Sequence, residues 1–95
     1  MIKSFKNKET EQLFNRNIVR KIPNDILKIA YRKLKMIDAA VNIIDLKIPP
    51  ANCLEKLKGN REGQYSIRIN KQWRMCFLFK GSDAYEVEIV DYHKG

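Results

Sequence analysis

The sequence predicts an α+β domain, and three observations carry that prediction. Apolar residues recur every three or four positions across residues 24–44, which is the period of a helix. From residue 65 the period drops to two, which is the period of strands. The connections between these alternating runs are too short for parallel crossovers, so the strands must pair antiparallel.

Taken in order, Ile2-Lys3-Ser4-Phe5 alternates apolar and polar and predicts a short first strand. Residues 9–15 suit a short helix with Leu13 and Phe14 turned inward. Asn24 is suited to cap the next helix, since its side-chain oxygen can accept from the free N–H groups of the first turn. Asp25 complements the positive end of the helix dipole. Ile26, Ile29, Ala30, Leu34, Ile37, Val41 and Ile44 then form one stripe, with Lys28, Arg32, Lys35 and Asp38 on the other face. This long helix is expected to run roughly over residues 24–44, and Pro49-Pro50 forbid its continuation. Tyr65, Ile67 and Ile69 begin the strand region. Trp73, Met75, Phe77 and Phe79 follow, and then Tyr85, Val87 and Ile89. Turns are expected at 70–72 and 80–84. The picture is a strand, two helices and an antiparallel meander on which the long helix packs. No repeat or linker interrupts residues 1–95, which predicts a single domain.

A chain of 95 residues that is 44% hydrophobic should fold, but it has little core to spare. Its net charge of +8, from 19 Lys+Arg against 11 Asp+Glu, attracts polyanions: nucleic acid, an anionic membrane or an acidic protein. No apolar run approaches the ~20 residues of a membrane span. Residues 1–8 carry lysines but no apolar core of a secretory leader. A cytoplasmic protein with no membrane partner is therefore expected. Cys53 and Cys76 have no neighbouring Cys or His at a metal-ligand spacing, so neither zinc nor another cofactor is expected, and reduced thiols suit the cytosol.

Strand parity places the basic residues. Residues that face each other across a hairpin share one face of the sheet. The apolar sets 65/67/69 and 73/75/77/79 must share a face, which puts 69 opposite 73, 67 opposite 75 and Arg68 opposite Arg74. Two like charges directly opposite cost about 0.2–1 kcal/mol. Either they splay into solvent or they serve an anion, for which the planar guanidinium fork is well shaped. In the next hairpin, pairing Phe79 with Tyr85 places Phe77 opposite Val87, Met75 opposite Ile89 and Arg74 opposite Val90. Tyr92 lies one step further on the same face, and His93 just past it.

His93 is the only histidine. Imidazole exchanges protons near neutrality, Asp91 can orient it, and Tyr92 can stack on a base or donate a proton. The sequence has no clustered metal ligands, no Gly-rich phosphate loop and no Gly-x-Ser-x-Gly turn. Phosphodiester cleavage without a metal is the natural reaction. It uses the substrate's own 2′-OH, so the substrate must be RNA.

The run Leu57-Lys58-Gly59-Asn60-Arg61-Glu62-Gly63-Gln64-Tyr65-Ser66-Ile67-Arg68-Ile69-Asn70-Lys71-Gln72-Trp73-Arg74, followed by Asp91-Tyr92-His93, resembles the HigB toxins of the RelE superfamily. Ile2-Lys3-Ser4-Phe5 and the helix-rich first half match more loosely. The resemblance implies a RelE-like fold and the toxin of a type II toxin–antitoxin system. Such a toxin is a ribosome-dependent mRNA endoribonuclease that cuts in the ribosomal A site, inhibits translation and is neutralised by a HigA-like helix-turn-helix antitoxin. Operator DNA would be met only through the antitoxin complex. The resemblance makes His93 the general base. Lys58, Arg68 and Arg74 would hold the phosphate and transition state, and Asp91 and Tyr92 would orient and stack. The further cations Lys56, Arg61 and Lys71 are expected to contact RNA or the ribosome. Two departures stand out. Glu55-Lys56 replaces the His-Pro often found before Leu-Lys-Gly, and Asn17-Ile18-Val19 replaces a Gly after the first helix. The competing readings are a ParE-like gyrase poison, for which Arg68, Arg74 and His93 would be surplus, and a basic module that binds nucleic acid through charge alone.

Overall fold

A computed structural model describes residues 1–92. Helix α1 spans Lys8–Phe14 and helix α2 spans Asn24–Ala39. Strands follow at Glu55–Lys56 (β1), Tyr65–Arg68 (β2), Trp73–Lys80 (β3) and Asp83–Asp91 (β4). The four strands form one antiparallel sheet in the order β1-β2-β3-β4. One face of the sheet carries Ile67, Met75, Phe77, Val87 and Ile89 against Ile26, Ala30, Leu34 and Ile37 of α2. This is the α+β architecture expected, with the long helix on the meander.

Helix α1 is tied down by its own cap. Asn7 Oδ1 accepts from the Thr10 backbone N–H at 3.0 Å and from Thr10 Oγ1 at 2.7 Å. Thr10 Oγ1, buried, in turn accepts from the Ile89 N–H of β4 at 3.1 Å. One threonine thus links helix cap to sheet, satisfying polar groups that burial would otherwise leave costly.

Several sequence expectations are corrected. Helix α2 stops at Ala39, not near Ile44, and Val41 and Ile44 stand exposed instead of extending the apolar stripe. The reason is a competing cap. Asn42 accepts from the Ile44 N–H at 3.0 Å, while Asp45 Oδ2 accepts from the Asn42 N–H at 3.1 Å, which starts a separate 3₁₀ turn over Ile43–Lys47. Replacing Asn42 with alanine is expected to destabilise the fold by about 1 kcal/mol, read as a lower midpoint in urea at unchanged slope. At the other end of α2 the cap residue is Pro23. Asn24 is already helical, because Pro23 holds the extended entry and supplies no side-chain acceptor.

Residues 2–5 do not form a full strand. Ile2 bridges Ala84 and Phe5 bridges Val87, both parallel to β4. Between these bridges Glu86 adopts a left-handed φ of 53°, and its N–H goes to Ser4 Oγ at 2.9 Å. That bulge also shifts the β3–β4 register by one. Met75 faces Ile89 and Arg74 faces Val90 as expected, but Leu78 faces Tyr85 and Phe79 faces Ala84. The turn between them shortens to Gly81-Ser82, with Lys80 paired to Asp83. Strand β1 was not anticipated. It adds to β2 by pairing Glu55 with Ser66 and Lys56 with Tyr65. None of the described helices is long and apolar enough to cross a membrane.

Candidate catalytic face

Arg68 and Arg74 are partners across β2 and β3, as parity requires, and Arg74 faces Val90 of β4. The Arg74 guanidinium lies over the Tyr92 ring, 5.7 Å from its centroid. Tyr92 is fixed in turn by its own N–H, which donates to the Gln72 carbonyl at 2.6 Å. The row Arg74, Val90, Tyr92 is therefore built by register, and its end is tied to the β2–β3 turn.

Arg74 is held more firmly than an exposed arginine could be. Its Nε donates to Ser66 Oγ at 2.8 Å, and its Nη2 to the Cys53 carbonyl at 2.6 Å and the Ser66 carbonyl at 3.4 Å. Glu55 Oε1 lies 3.7 Å from Nη2. The side chain is only 12% exposed. These contacts use one edge of the fork and leave Nη1 without a hydrogen bond to the described residues. The like-charge pairing is thus resolved by anchoring one arginine on oxygen atoms while Arg68 stays exposed.

Sequence reasoning missed Ser66, Cys53 and Glu55 as supports. Ser66 had a signal: it shares the parity of Arg68 and Arg74 and is a small hydroxyl residue diagonal to Arg74. Cys53 left none, since it acts through its backbone carbonyl, in a residue with a left-handed φ of 47° that ends the Pro50–Asn52 turn. Ser66 and Cys76 are fully buried on this face, which the segment around residues 53–64 covers.

Lys58 is exposed at the start of the Gly59–Arg61 turn, in a loop closed by the Leu57 N–H donating to the Gln64 carbonyl at 2.8 Å. Arg61 braces that loop. Its Nη1 reaches Glu88 Oε2 at 2.9 Å and Gln64 Oε1 at 3.0 Å, and the bond to Glu88 holds its guanidinium protonated beyond its ordinary range. Through Glu88, Arg61 ties the Gly59–Arg61 turn, which Lys58 precedes, to β4. Lys56 and Lys71 are exposed, on β1 and on the β2–β3 turn. Asp91 faces Trp73, one step out of the Arg74–Tyr92 row, and accepts from Gln72 Nε2 at 3.2 Å. His93 lies outside the described residues. Among the described residues no group of three or more His, Cys, Asp or Glu is placed to hold a metal.

The two cysteines behave oppositely. Cys53 is exposed, whereas burial pushes the Cys76 thiol up to about 11. A thiol reagent at mild alkaline pH is expected to label Cys53 at once and Cys76 only on unfolding. The folded chain keeps a Cys76 proton that the unfolded chain releases near its ordinary pKa of ~8.5, so this group lowers stability as pH rises from there toward 11. Equal labelling of both thiols in the native protein would contradict the packing beneath Arg74.

The geometry agrees with what comparison with known proteins finds. A family model described as RelE-like toxin of type II toxin–antitoxin system HigB matches residues 3–93. The chain is 45% identical to Toxin HigB-1 of Vibrio cholerae, over 99% of both chains. It is 38% identical to Endoribonuclease HigB of Proteus vulgaris, over 98% of this chain and all of that one. Among solved structures, a chain of the heterotetrameric YoeB-YefM toxin–antitoxin complex of Staphylococcus aureus superposes with a TM-score of 0.61 at 25% identity, covering 99% of this chain and 97% of that chain. With the family model spanning nearly the whole sequence, this chain belongs to the HigB-like family of RelE-like toxins of type II toxin–antitoxin systems.

Proposed function

We propose that this toxin is an endoribonuclease that cuts mRNA on the ribosome by attack of the substrate's own 2′-OH, and so stops translation. The observation that carries the reading is the anchored Arg74 guanidinium beside Tyr92, with Arg68 opposite it in register. The kinship with Endoribonuclease HigB supports the reaction class.

In this reading the 2′ oxygen, losing its proton to His93, bonds to phosphorus. The bond from phosphorus to the 5′ oxygen breaks, and that oxygen takes up a proton from water as it leaves. Arg74, Arg68 and Lys58 stabilise the charge that grows on the phosphoryl oxygens. Tyr92 stacks on a base, and Asp91 orients His93. Lys56 and Lys71 contact RNA or the ribosome as exposed cations. Arg61, one-third exposed, joins them from the loop that it ties to Glu88. No cofactor is needed, since the substrate supplies the nucleophile. The working compartment is the cytoplasm, where ribosomes are. The partner is an antitoxin of the HigA-like helix-turn-helix kind that answers the positive charge, and operator DNA is reached only through that complex.

The chemistry is tested at the cut ends. Cleavage should leave a cyclic phosphate upstream and a free 5′-hydroxyl downstream. A single 2′-deoxy nucleotide at the cut should abolish it. Products with a 5′-phosphate would rule out this mechanism.

A further inference from the structure

A second basic feature lies beside the cleavage face and shares Arg68 with it. A cleft of about 280 Å³ opens between α2 and the end of β2, where the short strand β1 no longer covers the β2 edge. Arg32 and Lys33 line it from the helix, and Arg68 lines it from the strand. Ile29 and Ile69 supply its apolar walls, which strengthen any charge interaction within it. Among the described residues no carboxylate lines it. Ion pairs among the described residues involve the N-terminus, Lys21, Arg61 and Arg74, so Arg32 and Arg68 have none.

Lys33 is the unusual member. It is 7% exposed, and its Nζ donates to Asn52 Oδ1 at 2.6 Å. Asn52 is fully buried and is itself held by its Nδ2, which donates to the Leu46 carbonyl at 3.1 Å. An ammonium has three donors, and this one makes a single hydrogen bond among the described residues. Burial, and then the neighbouring Arg32 charge, hold its pKa below the ordinary lysine range. A site that only stabilised the fold would gain from an apolar residue here, or from a carboxylate among the three cations. An entering anion answers all three charges at once.

We propose that this cleft binds a backbone phosphate of the RNA, at a nucleotide away from the one being cut. Arg68 is the link: it borders the cleft and stands opposite Arg74 in the sheet, so one strand of RNA can run from cleft to cleavage face. The inference rests on RNA being the substrate but not on the chemistry at His93. Arg32 and Lys33 are binding residues in this account, with no part in bond cleavage.

The test uses the full chain and a short labelled 2′-O-methyl oligoribonucleotide, which binds without being able to supply the nucleophile. Arg32→Ala should weaken its binding about tenfold, as expected for a lost bond to a charged group. It should also reduce the salt dependence by roughly one charge. Arg32 is exposed, so the fold should survive; Lys33→Met is the second variant, checked by its melting curve. Lys28→Ala, on α2 outside the cleft, controls for net charge and should change affinity by less than about twofold, as a distant screened charge does. Equal weakening by Lys28→Ala and Arg32→Ala would overturn the site. So would shifts at Arg32 and Lys33 with inorganic phosphate alone, while oligonucleotide affinity stays untouched by Arg32→Ala. Should mRNA on translating ribosomes yield no cut product while the Arg32 effect stands, the nuclease reading fails and the cleft remains.

Discussion

Replacing Arg74 with alanine is expected to slow mRNA cleavage by about 10²–10³-fold, the usual cost of losing a fixed donor to a transition state. The expectation comes from how the side chain is fixed. Ser66 Oγ, the Cys53 carbonyl and Glu55 hold one edge of the guanidinium, and Tyr92 lies along its face, so its free donors need little reorganisation to meet a phosphoryl oxygen. Arg74→Lys keeps the charge but loses the planar fork and the bond to Ser66, and should recover little of the rate. Ser66→Ala should give a milder loss by loosening the same group, and Ser66→Thr should restore part of it. Removing Arg74 also leaves Ser66 and the Cys53 carbonyl short of a donor, so each variant's melting temperature belongs beside its rate. A folded Arg74→Ala protein that cleaves at full rate would remove the centre of the proposed site.

Replacing His93 with alanine is expected to cost about 10²–10⁴-fold in rate with little change in stability. The residue before it is well placed: Tyr92 is fixed by Gln72 and sits against Arg74. If imidazole takes the 2′ proton, the wild-type rate should rise with pH as the base loses its own proton, and the variant should lose that rise. A pH profile unchanged by the substitution would assign the base elsewhere.

The half of the sheet that carries this face was legible in the sequence because its register is regular. Core alternation alone put Ile67 opposite Met75, and that placed Arg68 opposite Arg74 and Val90 in line with Tyr92. The bulge at Glu86 disturbs only the far end of the hairpin, so its shift, invisible in the alternation, left the functional end untouched. The end of α2 was not legible, because apolar spacing continues through Val41 and Ile44. The decision rests with Asn42 and Asp45, which cap a new turn of their own. The supports of the site were hidden for another reason: they are non-local. Nothing near Arg61 in sequence announces Glu88, and nothing near Arg74 announces the Cys53 carbonyl. Arg61, expected to contact RNA or the ribosome, is also tied to Glu88 within the fold, and Lys33, which the helix stripe leaves unassigned, is buried on Asn52.

The most direct test of the account is primer extension on one mRNA incubated with the purified toxin, with and without active translation. The account predicts discrete stops within the reading frame only when ribosomes translate it, and their absence with Arg74→Ala or His93→Ala. Identical intact transcript with and without the toxin during translation would contradict it.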